Sequence, residues 1–484
     1  MNLRHRRAFC GAFLRNDAGE TDMKKKDICE AVVERSIFPD TGIVTVEDRA
    51  VQIKHTLPGQ KIRFRITKIR KSGCKGELLE VLHPSPDEVT PMCPHFAACG
   101  GCAYQNLPYE KQLALLEKQV HDVLKNVVPE EAFLPIKGSP RVFGYRNKME
   151  FTFGDEKKDG PLVLGLHKRG SFYDLTQVYG CQIMDEDFRA IVSFTESFFR
   201  KEGISFYHRK RHEGYLRHLL VRKGTKSEEI LVDLVTVSEL PKEDGTDAKA
   251  LLARWCEGLC ELSLEGKLVG VLHTVNDGVA DTIADEGTSV LYGTDFFEEQ
   301  LLRLTFTITP FSFFQTNSLG AEVLYETVRD YVGDTDGKNI YDLYSGTGTI
   351  AQVLAPVAKH VTGVEIVPEA VSAARENAKK NNLNNCTFLA GDVLKVLDDI
   401  PEKPDVIILD PPRDGINPKA LSKIVAYGVD TIVYISCKPT SLARDLVYFE
   451  GNGYEVKKCV PIDLFPAASH VESVVGLKRV GDEA

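Results

Sequence analysis

Two sets of side chains in this sequence have the types and spacing to do chemistry. The first lies in the last third of the chain: the glycine turn Ser345-Gly-Thr-Gly348, the acids Glu365, Asp392 and Asp410, and the thiol Cys437. The second is Cys93-x5-Cys99-x2-Cys102, three thiols in one loop with Gly100-Gly101 between the last two. Glycines at 346 and 348 can take φ values closed to other residues and let the backbone approach a ligand. A carboxylate just past a strand can accept hydrogen bonds from ribose hydroxyls. Cys437 offers covalent chemistry. A pyrimidine C5 is a poor nucleophile toward a methyl sulfonium, but a thiolate adding at C6 makes C5 enolate-like; a base must then remove the C5 proton so that the thiol can leave. Lys438 and a strand-end position are expected to lower the pKa of the thiol. The commoner fate of a strand cysteine is burial. The company of the glycine turn and Asp410 favours function.

The elements that must position these groups follow from the pattern. Ile340 and Leu343 run into the glycine turn, and a helix is expected from Thr349 to near Ala358. Val361–Glu365, Phe388–Asp392, Val406–Asp410 and Thr431–Cys437 read as further strands, each ending in one of the polar residues. Helical stretches at Pro368–Asn382, Pro418–Tyr427 and Thr440–Phe449 separate them. Such alternation predicts a doubly wound, Rossmann-like parallel sheet with ligands at the carboxyl ends of its strands. Asp410-Pro-Pro-Arg413 has the start of the (D/N)PP(Y/F) loop with which other enzymes methylate exocyclic amines, but Arg413 replaces the stacking aromatic and argues against amine chemistry.

At 484 residues the chain is long for one core, and several domains are expected. Residues 1–23 are read as a disordered or mis-annotated extension, with Met23 a candidate start. Residues 24–84 read as a small β-barrel with strands Glu30–Ile37, Gly42–Val46, Gln52–Lys54, Lys61–Arg70 and Glu77–Leu82. Alternation puts Lys61, Arg63 and Arg65 on one face, and its slip near Thr67 predicts a bulge. Net charge is −10, yet residues 24–84 carry 13 Lys/Arg against 8 Asp/Glu. That local excess suits either a phosphate contact or a solvated face. Pro84-Ser-Pro86 reads as a linker. Residues 85–305 read as an α+β region, with a second basic cluster at Arg209-Lys-Arg-His212. Residues 306–484 are the doubly wound domain.

No apolar run is long enough to cross a bilayer, and no signal-peptide core is seen. A cytoplasmic, reducing setting is expected, without a membrane or an obligate protein partner. In such a setting the twelve cysteines read as metal ligands or reactive thiols rather than disulfides. Cys181 is the best remote candidate for a fourth ligand beside Cys93, Cys99 and Cys102. Four thiolates suit a structural zinc or a [4Fe–4S] cluster, and the three-plus-one spacing leans toward iron.

In combination, Phe313-Phe-Gln-Thr-Asn317, Asp342-Leu-Tyr-Ser-Gly-Thr-Gly348, Asp410-Pro-Pro-Arg-Asp-Gly415, Ile435-Ser-Cys-Lys-Pro439 and His470-Val-Glu472 resemble the S-adenosylmethionine-dependent RNA uracil-5-methyltransferases over roughly residues 24–484. The bacterial 23S ribosomal RNA branch is the nearest resemblance. It implies that 24–84 is a TRAM domain and that Cys93, Cys99, Cys102 and Cys181 ligate a [4Fe–4S] cluster. It implies further that Gln315, Tyr344, Gly346, Gly348, Glu365, Asp392 and Asp410 serve the S-adenosylmethionine site, with Asp392 at the adenine edge. Cys437 would be the nucleophile and Glu472 the base; Glu472 rests on the resemblance alone. Ala467-Ala-Ser469 departs from the polar Thr or His often found between Phe465-Pro466 and His470, which weakens the expected support for Glu472. The implied substrate is 23S ribosomal RNA. Competing readings are the same chemistry on transfer RNA, a cytosine-5 methyltransferase, and a non-catalytic RNA-binding iron–sulfur protein. The resemblance speaks against transfer RNA, because that branch typically lacks both the TRAM segment and the thiols.

Overall fold

The computed structural model describes residues 23–480 except 172, 241–246, 281, 334–336, 398, 399, 401 and 402. The reading of 1–22 therefore falls outside the described residues, while Met23 is buried against Phe64 and its neighbours in the N-terminal core. Three larger sheets carry the chain.

The first sheet holds Ile28–Val32, Arg35–Ile37, Thr41–Val46, Arg49–Lys54, Lys61–Arg70 and Gly73–His83. The stretch expected as one strand, Glu30–Ile37, is two. Its first part pairs with Lys61–Arg70 and its second with Thr41–Val46, so one segment broken at Val33-Glu34 supplies both edges of the sheet. Val33 N–H donates to Gln60 O and Glu34 N–H to Ile43 O across the break. Ile62, Phe64 and Ile66 are fully buried, and the register slips between Ile66 and Lys68 where the alternation slips. The outward basic stripe is not bare. Arg63 pairs with Glu30 at 2.9 Å and Glu80 at 2.6 Å, and Arg65 with Glu77 at 3.5 Å. The expected linker is pinned too, since Ser85 Oγ donates to Pro58 O at 2.7 Å.

The second sheet runs Thr288–Gly293, Lys267–Val275, Glu229–Thr236, Leu216–Lys223, Lys148–Gly154, Val163–His167 and Leu175–Thr176 in spatial order. Helix Glu186–Lys201 starts on the Asp185 side chain, which accepts from Asp187 N–H. It packs Phe188, Ile191 and Phe199 against Phe151, Leu219 and Val232 of the sheet. Helix Ala248–Cys260 contributes Leu251 and Trp255 to the same core; the sequence pattern alone does not separate it from its surroundings. A hairpin, Phe297–Leu301 with Leu304–Ile308, links this region to the third sheet, and the expected boundary at 305/306 falls inside its second strand.

The third sheet has seven strands: β1 (Asn339–Leu343), β2 (His360–Glu365), β3 (Cys386–Ala390), β4 (Val406–Leu409), β5 (Thr431–Ser436), β6 (Tyr454–Ile462) and β7 (Glu472–Arg479). Their spatial order is β3-β2-β1-β4-β5-β7-β6. β1 to β5 are parallel, and β7 inserts antiparallel between β5 and β6. Both faces are covered, so the strands read as near-continuous apolar runs. Ile340, Ile408 and Val433 pack on one face, Tyr341, Leu343, Ile407 and Tyr434 on the other. The helix after the glycine turn is Thr349–Leu354, shorter than expected, because Pro356 diverts the chain into a 3-10 turn, Ala355–Val357. Among the described residues no helix is long and apolar enough to cross a membrane.

Candidate active site

The carboxyl ends of β1, β2, β4 and β5 open onto a cavity of about 1530 Å³. Its lining includes Gln315, Tyr344, Gly346, Glu365, Asp410, Cys437 and Glu472, so seven of the nine expected catalytic and cofactor residues meet there. Between β1 and its helix the chain turns through Tyr344, Gly346 and Gly348, all at positive φ. Gly346 N–H donates to Glu365 Oε2 at 3.0 Å, and Val367 N–H to Glu365 Oε1 at 3.0 Å. The turn thus fixes the acid of the neighbouring strand.

The two glycines do different work. A Cβ on Gly346 would meet nothing within 4 Å, whereas one on Gly348 would stand 2.4 Å from the Phe388 ring and 2.9 Å from Ala374 Cβ. Gly348 is therefore a packing position, and it is not part of the cavity wall. We expect Gly348→Ala to lower unfolding stability by about 1–3 kcal/mol in chemical denaturation. Gly346→Ala should act mainly on ligand affinity, measured by calorimetry; equal stability losses in the two variants would refute the distinction.

Asp392 also stands off the wall. Its Oδ1 accepts from Leu394 N–H at 2.9 Å and caps the short helix Val393–Val396, a local use of an acid that competes with a ligand role. Its charge still reaches Tyr344, whose phenol burial pushes up to about 12. Asp342, inside β1, is fully buried with Oδ2 accepting from Ala351 N–H at 3.0 Å and Oδ1 unpartnered. Burial, with the nearby Asp410 charge, raises its pKa to about 8.

Gln315 is positioned from the second sheet. The buried Arg222 guanidinium donates to the carbonyls of Thr309 (2.8 Å), Pro310 (3.0 Å) and Ser312 (2.8 Å). Asn147 Nδ2 donates to Gln315 O at 3.0 Å. Gln315 lines the cavity with Tyr325, a buried phenol whose pKa is driven up by that burial.

The reactive end of the cavity holds Cys437, Asp410, Glu472 and Arg413. The thiol pKa is raised, first by burial and then by the Glu472 charge, while the Arg413 guanidinium opposes both. This corrects the expected lowering by Lys438. That side chain lies 3.8 Å from Asp414, and its residue starts the turn into helix Pro439–Glu450. Arg413, read from sequence only as an argument against amine chemistry, is the cation at the thiol; its place in a strand-end loop was the available signal. Burial raises Asp410 to about 7. Burial and the Asp410 charge raise Glu472 to about 8, against the pull of Arg413. A thiol, a carboxyl titrating close to neutrality and a cation can together add to and deprotonate an electron-poor ring.

Gly101, between Cys99 and Cys102, lines the cavity, and Cys93, Cys99, Cys102 and Cys181 are near enough for their charges to act on one another. Burial first, then the charges of Cys181, Cys99 and Cys93, push Cys102 up to about 12; Cys181 is pushed up to about 11, chiefly by burial. Gly101 N–H and the Gln105 amide point at Cys99 Sγ (3.3 Å) and Cys102 Sγ (3.5 Å). Among the described residues no three His, Cys, Asp or Glu side chains are grouped to hold a metal ion.

A family model described as a methyltransferase domain matches residues 334–444. An uncharacterized RNA methyltransferase of Clostridium tetani is 46% identical over 458 residues, covering 94% of this chain and 99% of the relative. One from Caldanaerobacter subterraneus is 46% identical over 456 residues, with the same coverage. Among solved structures, the Pyrococcus abyssi tRNA (uracil-54, C5)-methyltransferase in complex with S-adenosyl-L-homocysteine superposes with a TM-score of 0.71 at 26% identity, covering 92% of this chain and 100% of that one. Similarity of this extent over nearly the whole length means that the chain belongs to the RNA methyltransferase family.

Proposed function

We propose that the protein methylates C5 of a uridine in RNA, with S-adenosylmethionine as methyl donor. The observation that carries this reading is the convergence of Cys437, Arg413 and Glu472 at one end of a cavity whose other end is the glycine turn and Glu365. The residues fit the donor: Ser345 Oγ lies buried and unpartnered beside Gly346, whose missing side chain leaves open space. Bound there, the donor supplies an electrophilic methyl group. Arg413 favours the thiolate of Cys437, which adds to C6 and moves electron density onto C5. After C5 has taken the methyl group, Glu472 removes the C5 proton, the C6–S bond breaks and the thiolate returns. Gln315, Tyr344 and Glu365 wall the donor side, and Asp410, at the end of β4 between β1 and β5, stands where the donor side meets the thiol; Gly348 and Asp392 hold the turn and the neighbouring helix. A cytosine-5 reading shares the thiol but has no separate support.

The domain reading goes with this function. Residues 24–84, whose sheet draws both edges from one segment, are taken as the TRAM barrel, 85–305 as the thiol-bearing region and 306–484 as the methyltransferase domain. Cys93, Cys99, Cys102 and Cys181 suit a [4Fe–4S] cluster better than one ion. Each ligates a different iron, so the sulfurs can stand wider apart than around a single metal while still sensing one another's charge. N–H groups aimed at two sulfurs suit bound thiolates. Protein purified without air should then contain about four iron and four sulfide per chain; its absence would remove the cluster.

For the target we favour 23S ribosomal RNA, from the motif resemblance. Transfer RNA is the second reading, supported by the Pyrococcus neighbour. Residues 85–484 amount to only about 83% of the chain, so an alignment over 92% extends beyond them. The N-terminal segment therefore no longer argues against transfer RNA. Incubating the enzyme with each RNA carrying 5-fluorouridine tests both points. A covalent protein–RNA adduct with ribosomal RNA alone supports the first reading, with transfer RNA alone the second. No adduct with either overturns the covalent route. A cytoplasmic location is proposed with this reading.

A further inference from the structure

The loop from Asp463 to Val471 joins β6 to β7 and ends one residue before Glu472. Partners remote in sequence hold it. Ala103 N–H and Tyr104 N–H both donate to Ala467 O, at 2.7 and 2.9 Å. Ala467 N–H donates to Gln112 Oε1 at 3.0 Å, and Gln112 Nε2 is itself fixed on Leu107 O at 2.8 Å. Tyr145 Oη donates to Pro466 O at 3.0 Å and Asn317 Nδ2 to Leu464 O at 2.8 Å. Ala467 is held at φ +69°, a left-handed conformation that costs energy in a residue with a Cβ. Phe465, Ala468 and His470 of the same loop line the cavity. Ala103 and Tyr104 follow directly on Cys102, so the chain leaving the thiol loop grips the turn that leads into the acid.

We infer that Gln112, acting with the Ala103 and Tyr104 amides, is a positioning residue for Glu472: it holds Ala467 in its left-handed conformation and thereby fixes the carboxyl against the C5 proton. The inference rests on Glu472 being the base. It explains why Ala467-Ala-Ser469 suffices without a Thr or His, because the contacts to Ala467 run through its backbone. It also gives the thiol loop a task in methyl transfer that needs no electron transfer.

Gln112→Met keeps the approximate volume but leaves Ala467 N–H without an acceptor. With RNA tritiated at uridine C5, we expect proton release to slow about tenfold, the size of one lost buried hydrogen bond. The Cys437–RNA adduct should persist, donor affinity should not change, and the adduct with 5-fluorouridine RNA should form at the wild-type rate. Adding Ala467→Gly, which takes positive φ without the Cβ cost, should restore most of the lost rate. Wild-type tritium release in Gln112→Met would overturn the inference. So would an equal loss of donor binding, adduct formation and proton release, or a double variant no faster than the single one. Failure of the wild type to form the fluorouridine adduct would instead overturn the covalent route beneath it.

Discussion

Cys437→Ala should lose turnover by roughly 10⁴-fold or more while binding S-adenosylmethionine as the wild type does. The sulfur sits at the Arg413–Glu472 end of the cavity, whereas the donor is read at the glycine turn and Glu365. Removing it therefore takes away the attack on C6 and leaves the donor's contacts in place. Without the adduct, C5 does not carry enough electron density to take a methyl group. Cys437→Ser keeps a hydroxyl of similar size but a far weaker nucleophile, and should be nearly as inactive. Methyl transfer to RNA with labelled donor, run beside calorimetric donor titration, separates the two quantities. Substantial activity in Cys437→Ala would exclude the covalent route.

Glu472→Gln should fail at a different step. The thiol and donor remain, so the adduct forms and the methyl group moves, but the C5 proton has no acceptor. A covalent protein–RNA species should accumulate on unmodified uridine RNA, and turnover should fall about 10²–10⁴-fold. Denaturing gels showing no accumulated adduct would exclude Glu472 as the base. The wild-type pH profile carries the same assignment. Glu472 is raised to about 8 and the Cys437 thiol is raised as well; both must lose protons to act, so activity should climb from pH 6 through about 8. Stability runs the other way. A carboxyl raised in the folded state is fully compatible with folding below its unfolded pKa and costs stability as pH rises through the folded value. Glu472→Gln removes that cost, so its melting temperature should exceed that of the wild type more at pH 8 than at pH 5. A smaller advantage at pH 8 would contradict the buried, protonated acid.

Much of the third sheet was legible because its signals are local. Apolar runs ending in Gly346, Glu365, Asp410 and Cys437 are neighbours in sequence, and a parallel sheet buried on both faces aligns its strand ends on one rim. The Lys61–Arg65 alternation and its slip were readable for the same reason. What surrounds those residues was not. Glu30, Glu77 and Glu80 offset the basic stripe through cross-strand register. Asp392 turned back to cap its own helix, as short acids do when a free N–H lies two residues on.

By itself the sequence determined the doubly wound domain, the residues at its strand ends and the close spacing of three thiols, because each depends on chain connectivity and residue type alone. Only the tertiary structure decided the state of those residues. The Cys437 thiol is raised rather than lowered because desolvation there exceeds the pull of Arg413, and desolvation is set by packing from segments far along the chain. Glu472 joins the thiol because β7 inserts antiparallel beside β5, and its loop is gripped by residues from the far side of the thiol loop. Charge, burial and reach at a site are properties of what surrounds a residue in space, which neighbouring letters in the chain do not specify.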